Sequence, residues 1–313
     1  MSKILVTGGA GFIGSHLVDR LISLGHDVVV VDNLFSGRKE YIHPKAQFYL
    51  NDVRDEVITK IFEIEKPDFV YHFAAQLSVP YSVTNPLFDL DVNLRGLINI
   101  LQNCIKQKVK KFIFISSGGT VYGEVDEYPT TEGHRKIPVC PYGITKLTSE
   151  NYLYFYKYQY DLDYVILRYA NIYGPRQISS HESGVVTIFT QNILENLPLK
   201  IFRHENQLDG MYRDYVFIDD VTEINILALI KIKKGVYNVG TGIPTSTMEI
   251  YNTISEITGI RVDFEFGLPR YGDITRNCLD NLKAKSDLGW SPKVDLIKGL
   301  KITVDYFKRE LGL

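Results

Sequence analysis

The glycine-rich stretch near the N-terminus constrains the fold of this chain more than any other feature. A β-branched run, "KILVT", is followed by "GGAGFIG" and then by "SHLVDRLISLG", whose apolar residues recur at helical spacing. The loop fits both G-x-G-x-x-G and G-x-x-G-x-x-G. Glycines between a strand and a helix let the backbone approach a pyrophosphate, toward which the helix directs its free N–H groups. The stretch therefore predicts a dinucleotide-binding βα unit, with contacts from Gly8, Gly11, Phe12, Ile13 and Gly14.

Strand-like runs alternate with helical stretches through the first half of the chain. The runs are "KILVTGG", "DVVVVDN", "AQFYLNDV", "DFVYHFAA", "KKFIFISS" and "YVILRYANIYG". Because they are apolar on both faces, they predict a parallel sheet covered by helices, that is, a doubly wound, Rossmann-type α/β fold. We expect the dinucleotide-binding domain over 1–170, with the chain re-entering it around 214–238. Residues 171–213 and 239–313 would form a smaller C-terminal substrate-binding lobe.

An acidic residue follows the second predicted strand and bears on the choice of cofactor. Asp32, with Asn33 after it, stands where a carboxylate hydrogen-bonds the adenosine ribose and disfavours a 2′-phosphate, which favours NAD over NADP. Arg38, close by in sequence, tempers this preference. After the third strand, Asp52 and Val53 either contact the adenine or simply cap a helix.

Composition excludes several classes of protein and partner. A net charge of -2 gives no basic field for nucleic acid. The three cysteines lie far apart without CxxC spacing, so neither a disulfide framework nor a metal site is expected. No apolar run approaches the length of a membrane span, and the N-terminus does not resemble a cleaved leader. We expect a cytoplasmic protein that binds small molecules.

The stretch "CPYGITKL" places Tyr142 and Lys146 one helical turn apart, just after a proline. Such a pair often lies on a surface, with the lysine stem packed and its ammonium in water. Here the preceding strand ends in Ser116 and Ser117, at the carboxyl edge where doubly wound sheets bind ligands. A free tyrosine has a pKa of about 10, so it becomes a base at neutral pH only beside positive charge. We expect Lys146 to supply such a charge and lower the tyrosine pKa.

The ordered set of motifs resembles the extended short-chain dehydrogenase/reductase superfamily, and within it the UDP-glucose 4-epimerase branch. The motifs are "TGGAGFIGSH", "VVDNLFSG", "HFAAQ", "SSGGTVYGE", "PYGITK", "RYANIYGPRQ", "RDYVFIDDV", "YNVGTG" and "DNLKAKSDLGWSPKV", spread over nearly the whole chain. The resemblance implies an NAD-dependent UDP-hexose 4-epimerase that oxidises C4 of the sugar, turns the 4-keto sugar over and reduces it again. The alternatives are another nucleotide-sugar epimerase, dehydratase or oxidoreductase, for example one acting on a UDP-uronate, and a dinucleotide sensor without activity.

The resemblance also implies roles for individual residues. Tyr142 would be the base and Lys146 would hold the nicotinamide ribose. The cofactor path would be lined by Phe73, Ala74, Ala75, Asn93 and Ser116. The residues that would bind the UDP-sugar are Ser117, Gly118, Tyr142, Asn171, Val186, Arg213, Arg270, Asp273 and Asn277. The tyrosine-rich helix "NYLYFYKYQY" corresponds to the one through which the family forms dimers, so a homodimer is expected.

Three positions depart from the family pattern. Gly118 stands where a serine or threonine usually assists the tyrosine, so Ser117 is the first candidate for that hydroxyl, with Thr120 and Ser116 behind it. The glycine pair that begins at Gly118 also lacks the acid and base of the sugar dehydratases. The loop 203–212 is longer than usual. Asn277 replaces a tyrosine that would shield the C2 group of the sugar, so N-acetylated UDP-hexoses are expected as additional substrates.

Overall fold

The computed structural model describes residues 1–178, 184–231 and 234–313. Its strands are β1 Lys3–Thr7, β2 Asp27–Asp32, β3 Gln47–Leu50, β4 Phe69–His72, β5 Lys111–Ser117, β6 Asp163–Tyr169, β7 Asn171–Tyr173, β8 Leu199–Phe202, β9 Tyr212–Phe217, β10 Gly235–Val239, β11 Pro244–Ser246 and β12 Phe264–Gly267. Its α-helices are α1 Phe12–Ser23, α2 Ile58–Glu65, α3 Val79–Thr84, α4 Pro86–Leu90, α5 Gly96–Lys106, α6 Gly118–Tyr122, α7 Pro141–Tyr160, α8 Val185–Leu194, α9 Ile218–Lys231, α10 Thr247–Thr258, α11 Leu282–Leu288 and α12 Leu296–Leu311. A 3₁₀ turn spans Lys39–Tyr41, and a π-helical turn, Asp91–Arg95, joins α4 to α5.

Seven parallel strands form the main sheet, in the order β10-β6-β5-β4-β1-β2-β3. Alternate residues of β1 enter different cores, with Leu5 on one face of the sheet and Ile4 and Val6 on the other. Helices cover both faces, which is why these strands are apolar throughout. The doubly wound α/β fold predicted from the sequence is confirmed.

The strand order reverses between β1 and β4, and this reversal positions the site. From β1 the chain first builds outward to β2 and β3, then returns to β4 on the other side of β1 and continues to β5 and β6. The carboxyl ends of β1 and β4 lie side by side, with Thr7 paired with His72. A crevice opens at such a reversal, and doubly wound sheets bind their ligands there.

The second lobe is built on two small sheets. One has the order β11-β9-β7 and the other pairs β12 with β8. Helices α8, α10 and α12 pack together around a separate core that includes Phe189, Ile201, Ile250 and Leu300. The predicted run "YVILRYANIYG" is split at Ala170 into β6, in the main sheet, and β7, in the small one.

The segment 214–238, read from the sequence as a return to the main sheet, divides between the two lobes. Its strand, β9, lies in the small sheet beside β7 and β11. Helix α9 then packs against α1, and β10 pairs in parallel with β6 at the edge of the main sheet. The return is therefore made by α9 and β10.

Helix α7 continues without a break through the tyrosine-rich stretch. Leu153 and Tyr156 point into the core, whereas Tyr154 and Tyr158 are exposed. The alternation of tyrosines is thus carried by a helix, as predicted, and one side of that helix leaves aromatic rings uncovered. Over the three described ranges, no helix combines the length and apolar character needed to cross a membrane.

Candidate active site

One cleft of about 870 Å³ runs from the glycine loop across the carboxyl ends of β1, β4 and β5 and into the second lobe. It brings together nearly all of the residues singled out from the sequence. Those that line it are Gly8, Gly11, Phe12, Ile13, Gly14, Asp32, Asn33, Asp52, Val53, Phe73, Ala74, Ala75, Ser116, Ser117, Tyr142, Lys146, Asn171, Val186, Arg213, Arg270, Asp273 and Asn277. Residues from both ends of the chain therefore meet in one site.

The glycine loop has the shape of a pyrophosphate cradle. Gly8 has a φ of +71°, and a β-carbon there would lie 2.6 Å from the backbone nitrogen of Ala74. A β-carbon on Gly14 would lie 2.2 Å from the carbonyl oxygen of Gly8. Helix α1 begins at Phe12, directly after Gly11, without a side-chain cap, so its first N–H groups face the cleft. These residues fit a dinucleotide, whose phosphates would accept those N–H groups.

Two carboxylates stand at the adenosine end of the cleft, in different surroundings. Asp32 is 7% exposed and accepts hydrogen bonds from the backbone of Ala10 (2.9 Å) and Leu34 (2.8 Å). Burial raises its pKa, against the effect of these two bonds. Asp52 is held by Arg54, which lowers its pKa to about 2, and by the side-chain amide of Asn33. Asp52 therefore stays charged at neutral pH.

Tyr142 stands in the first turn of α7, where two contacts fix the backbone. The backbone N–H of Tyr142 donates to the Ser82 hydroxyl (3.2 Å), and Cys140 caps the helix by accepting from Gly143 at 3.4 Å. The pKa of Tyr142 is raised, mainly by burial of the phenol and next by the nearby charge of Asp89. A hydrogen bond with Ser117 acts in the opposite direction. Loss of hydration therefore outweighs the hydrogen bond that favours the anion, and the lowering of the tyrosine pKa expected from Lys146 and an oxidised nicotinamide ring stays a prediction.

Lys146 is 4% exposed, and its ammonium lies 5.7 Å from the centre of the Tyr142 ring. The ammonium donates to the carbonyl oxygen of Ile115 at 2.8 Å and lies over the ring of Phe114. Burial lowers its pKa to about 8, although the negative charges of nearby acidic groups oppose that shift. The cation is therefore held in place, close to the phenol, by one backbone acceptor.

The three candidate hydroxyls beside Tyr142 have different surroundings. Ser116 donates to Glu150 at 2.6 Å and belongs to a buried ion pair between Glu150 and Arg168. The Thr120 hydroxyl is buried, and the described residues offer it no hydrogen-bond partner. Ser117 alone of the three lowers the pKa of the Tyr142 phenol, through hydrogen bonding to it.

Basic side chains gather where the cleft enters the second lobe. Arg213 donates to the carbonyl oxygens of Tyr212 (2.9 Å) and Thr275 (3.4 Å), and no carboxylate in the described ranges forms an ion pair with it. The Arg270 guanidinium is held by Asp273 (Nε to Oδ2, 3.0 Å). Two guanidinium groups facing one cleft suit a diphosphate.

Asn277 lies deeper, between the second lobe and the end of β5. It is 6% exposed, and its Nδ2 lies 3.4 Å from Oδ1 of Asn171. The same amide stands so close to Gly119 that a β-carbon there would be 2.7 Å away. The longer loop 203–212 folds back onto this segment, with Gln207 donating to the carbonyl of Thr275 at 3.5 Å.

Two predicted site residues lie outside the cleft. Asn93 is buried behind it, where its side-chain amide bonds both the N–H (2.8 Å) and the carbonyl (2.9 Å) of Gln76. Gly118 faces Leu279, whose Cδ1 would lie 2.4 Å from an added β-carbon. A contact of Asn93 or Gly118 with a ligand is therefore not supported. Asn93 instead fixes the loop that follows β4.

Sequence reasoning missed several residues of the site. Gln76 and Phe202 line the cleft, and the Arg270 guanidinium lies 5.0 Å from the centre of the Phe202 ring. Asp89 is fully buried beside Tyr142 and Lys146. The one available signal was an acid one helical turn before Asn93, where a carboxylate and an amide share a helix face.

Comparisons with known proteins agree with this geometry. The sequence profile of the NAD dependent epimerase/dehydratase family matches residues 4–240. A UDP-glucose 4-epimerase of Mycolicibacterium smegmatis is 42% identical over 314 residues, covering 98% of this chain and 99% of that protein. The crystal structure of UDP-glucose 4-epimerase with UDP-glucose from Thermotoga maritima superposes with a TM-score of 0.95 at 47% identity, covering 99% of both chains. The Thermus thermophilus UDP-glucose 4-epimerase in complex with NAD gives 0.94 at 41%, covering 98% of this chain and 99% of that one.

The chain therefore belongs to the NAD-dependent epimerase/dehydratase family. Its similarity over almost its full length to several UDP-glucose 4-epimerases places it in that branch of the family. The resemblance drawn from the sequence motifs is confirmed, as is NAD as the cofactor.

Proposed function

We propose that this protein is an NAD-dependent UDP-hexose 4-epimerase that interconverts UDP-glucose and UDP-galactose. The observation that carries the proposal is the placing of Tyr142, Ser117 and Lys146 at the centre of one cleft, between the glycine loop and the two guanidinium groups. A dinucleotide and a nucleotide sugar that enter from opposite ends would meet at that phenol.

Each part of the chain has a separate task in this proposal. Residues 1–170 hold NAD, with Gly8, Gly11 and Gly14 at its diphosphate and Asp32 at the adenosine ribose. When bound, NAD accepts a hydride from C4 of the sugar and later returns it. Residues 171–213 and 239–313 hold the UDP-sugar, with Asn171 and Val186 along its path.

Tyr142 moves the proton in this mechanism. As a phenolate it takes the proton of the sugar 4-hydroxyl, and in the second half of the reaction it returns a proton to the 4-oxygen. Ser117 orients the phenol through their hydrogen bond. The Lys146 ammonium, 5.7 Å from the centre of the ring, would favour the anion by its positive charge. Arg213 and Arg270 hold the diphosphate, with Asp273 keeping the second guanidinium in place. The sugar is then free to turn while its nucleotide stays fixed.

The decisive experiment uses purified protein, UDP-galactose and no added NAD. An epimerase converts UDP-galactose to UDP-glucose with many turnovers, because its cofactor is restored in each cycle. A net oxidoreductase would stop after one turnover, and a dehydratase would release a keto-deoxy sugar. Tyr142→Phe should lose at least ~100-fold in kcat, since general base catalysis contributes about that much or more. Near-normal turnover by Tyr142→Phe would rule out the mechanism.

We also propose that N-acetylated UDP-hexoses are substrates. Asn277, smaller than a tyrosine, lines the cleft beside Gly119 and leaves room next to the sugar. UDP-N-acetylgalactosamine should therefore be turned over along with UDP-galactose. Product analysis with both substrates tests this directly.

We further propose a homodimer formed through helix α7. Its exposed aromatic side chains, with Tyr154 at 67% and Tyr158 at 81% exposure, supply an apolar face of the kind found at subunit interfaces. Light scattering should give twice the chain mass for the native protein and the chain mass for the double variant Y154E/Y158E. Tyr271→Glu, at another exposed tyrosine, is the matched control and should stay dimeric.

The three buried, unpaired cysteines suit a reducing compartment, and we propose the cytoplasm.

A further inference from the structure

A carboxylate that lines no part of the cleft is buried directly behind it. Asp89, in α4, is 0% exposed. Its Oδ1 accepts from Gln76 Nε2 at 2.8 Å and from Asn93 Nδ2 at 3.0 Å, and its Oδ2 accepts from the Thr145 hydroxyl at 2.7 Å. These partners belong to three parts of the chain, namely the loop after β4, the π-helical turn and α7. One side chain therefore joins the loop on the cofactor path to the helix that carries Tyr142.

The hydrogen-bond pattern determines which form of Asp89 the site stabilises. The Asn93 amide is oriented by the backbone of Gln76, since its Oδ1 accepts from the N–H and its Nδ2 donates to the carbonyl. The Gln76 amide is oriented in the same way by the backbone of Ser78. Both amides therefore present N–H groups to Oδ1 of Asp89, which acts there only as an acceptor. Burial raises the pKa of Asp89, whereas the hydrogen bonds from Thr145 and Gln76 and the charge of Lys146 act in the opposite direction and favour its ionised form.

A buried negative charge is stabilised by a positive charge nearby, and Lys146 supplies that charge for Asp89. The charge of Asp89 opposes the lowering of the Lys146 pKa by burial. Glu150 also faces Lys146, but Arg168 pairs with both of its oxygens (Nε to Oε1, 2.9 Å). Of the two acids, Asp89 is thus the one without a guanidinium partner in the described ranges.

Within the described part of the chain, the other titratable groups next to Tyr142 and Lys146 are neutral. His72, on β4, is buried, and burial lowers its pKa to about 3. Burial raises the pKa of the Cys140 thiol, at the start of α7. Replacing Asp89 with a neutral residue therefore removes the charge that acts on the pKa of the Tyr142 phenol.

We propose that Asp89 is a positioning residue of the reaction, which fixes α7 against the loop after β4 and supplies the buried negative charge that sets the protonation of both Tyr142 and Lys146. The inference rests on the proposed function to the extent that Tyr142 is the base. It assigns no contact between Asp89 and a ligand, because Asp89 acts through the two residues in front of it.

The sign of the effect follows from the charge. A nearby anion makes it harder to form the Tyr142 phenolate and harder to deprotonate Lys146, so it raises the pKa of both groups. Replacing Asp89 with a neutral residue lowers both pKa values. Activity requires the phenolate and the ammonium together, so both limbs of a bell-shaped pH profile should move to lower pH.

The test is Asp89→Asn, which preserves the shape of the network. The new Oδ1 accepts from Gln76 and Asn93, while the new Nδ2 faces Thr145, whose hydroxyl turns to donate to the Tyr142 carbonyl, already 3.0 Å away. The pH dependence of kcat for UDP-galactose should move to lower pH by about one unit at both limbs, the size expected for one nearby charge. A second readout is the ultraviolet titration of the Tyr142 phenol. The spectrum of Asp89→Asn with Tyr142→Phe is subtracted from that of Asp89→Asn, which leaves the signal of this one tyrosine. The midpoint of that difference titration should also fall.

The matched control is Asp220→Asn. Asp220 is 2% exposed and accepts from the backbone of Lys293 and Val294, so it is an equally buried aspartate outside the cleft. It should lose stability with no change in either pH midpoint. If Asp89→Asn keeps the wild-type midpoints in both readouts, the proposal is overturned even though Tyr142→Phe is inactive. If Tyr142→Phe is itself active, the proposed function fails first. Should Asp89→Asn fold poorly, Asp89→Ser provides the same comparison.

Discussion

Ser117 offers the most direct test of how the tyrosine is activated. Its hydroxyl bonds the Tyr142 phenol, whereas Ser116 is committed to Glu150 and the Thr120 hydroxyl has no partner in the described ranges. Ser117→Ala removes that hydrogen bond and little else, because the side chain is only partly buried. The variant should still bind its ligands and lose rate.

The size of the loss follows from the kind of bond. A hydrogen bond to a charged group is worth about 1.5–3 kcal/mol. Each 1.36 kcal/mol corresponds to tenfold in rate, so kcat should fall by about 10- to 150-fold. KM should change little, since the bond strengthens as the phenol becomes charged and contributes less to ground-state binding. Ser117→Thr keeps a hydroxyl and should recover much of the rate.

The assay is the initial rate of UDP-glucose formation from UDP-galactose, followed by separation of the two sugars. Thr120→Val removes the hydroxyl that lacks a partner, and its kcat should stay within about twofold of the native value. Wild-type turnover by Ser117→Ala, or a larger loss in Thr120→Val, would refute the assignment. Ser116→Ala should act through stability, because it weakens the contacts of a buried ion pair.

Three further substitutions test other parts of the molecule. Gly14→Ala should purify without NAD, because its β-carbon would lie 2.2 Å from a backbone oxygen of the glycine loop. The measurement is the amount of NAD released when the purified protein is denatured. The control, Gly133→Ala, should retain NAD, because an added β-carbon there has no neighbour within 4 Å. Arg168→Met should lower the free energy of unfolding, measured with urea, by about 3–5 kcal/mol, because it leaves the buried carboxylate of Glu150 without its ion-pair partner. Replacing Glu150 as well should restore most of the lost stability. Asn277→Tyr should lower kcat/KM for UDP-N-acetylgalactosamine at least ~10-fold more than for UDP-galactose. This ratio corresponds to a steric clash of about 1–3 kcal/mol with the N-acetyl group. Equal losses on both substrates would contradict the proposed specificity.

The parts of the fold that depend on local pattern could be predicted from the sequence. The turn before α1 can be predicted from its glycines, and the buried strands from their apolar residues, because both patterns extend over only a few neighbouring residues. The pairing of Tyr142 with Lys146 could be predicted for the same reason. Gly118 could not be placed, because its surroundings are set by Leu279, far along the chain.

The electrostatics of the site were beyond local reasoning. The raised pKa of Tyr142 comes from burial by several elements and from the charge of Asp89. The network around Asp89 joins a loop, a π-helical turn and a helix whose contact depends on the tertiary fold. Asn93 was assigned to the cofactor for the same reason, since its sequence position does not reveal that its amide faces Gln76.

The position of β10 has a consequence for how the chain is made. This strand covers the outer edge of β6, but it follows the strands and helices 171–231, most of them in the other lobe. Until residue 239 has left the ribosome, β6 remains an open edge that can pair with another chain. A fragment ending at residue 170 should therefore aggregate rather than fold, although it contains every strand that touches the glycine loop.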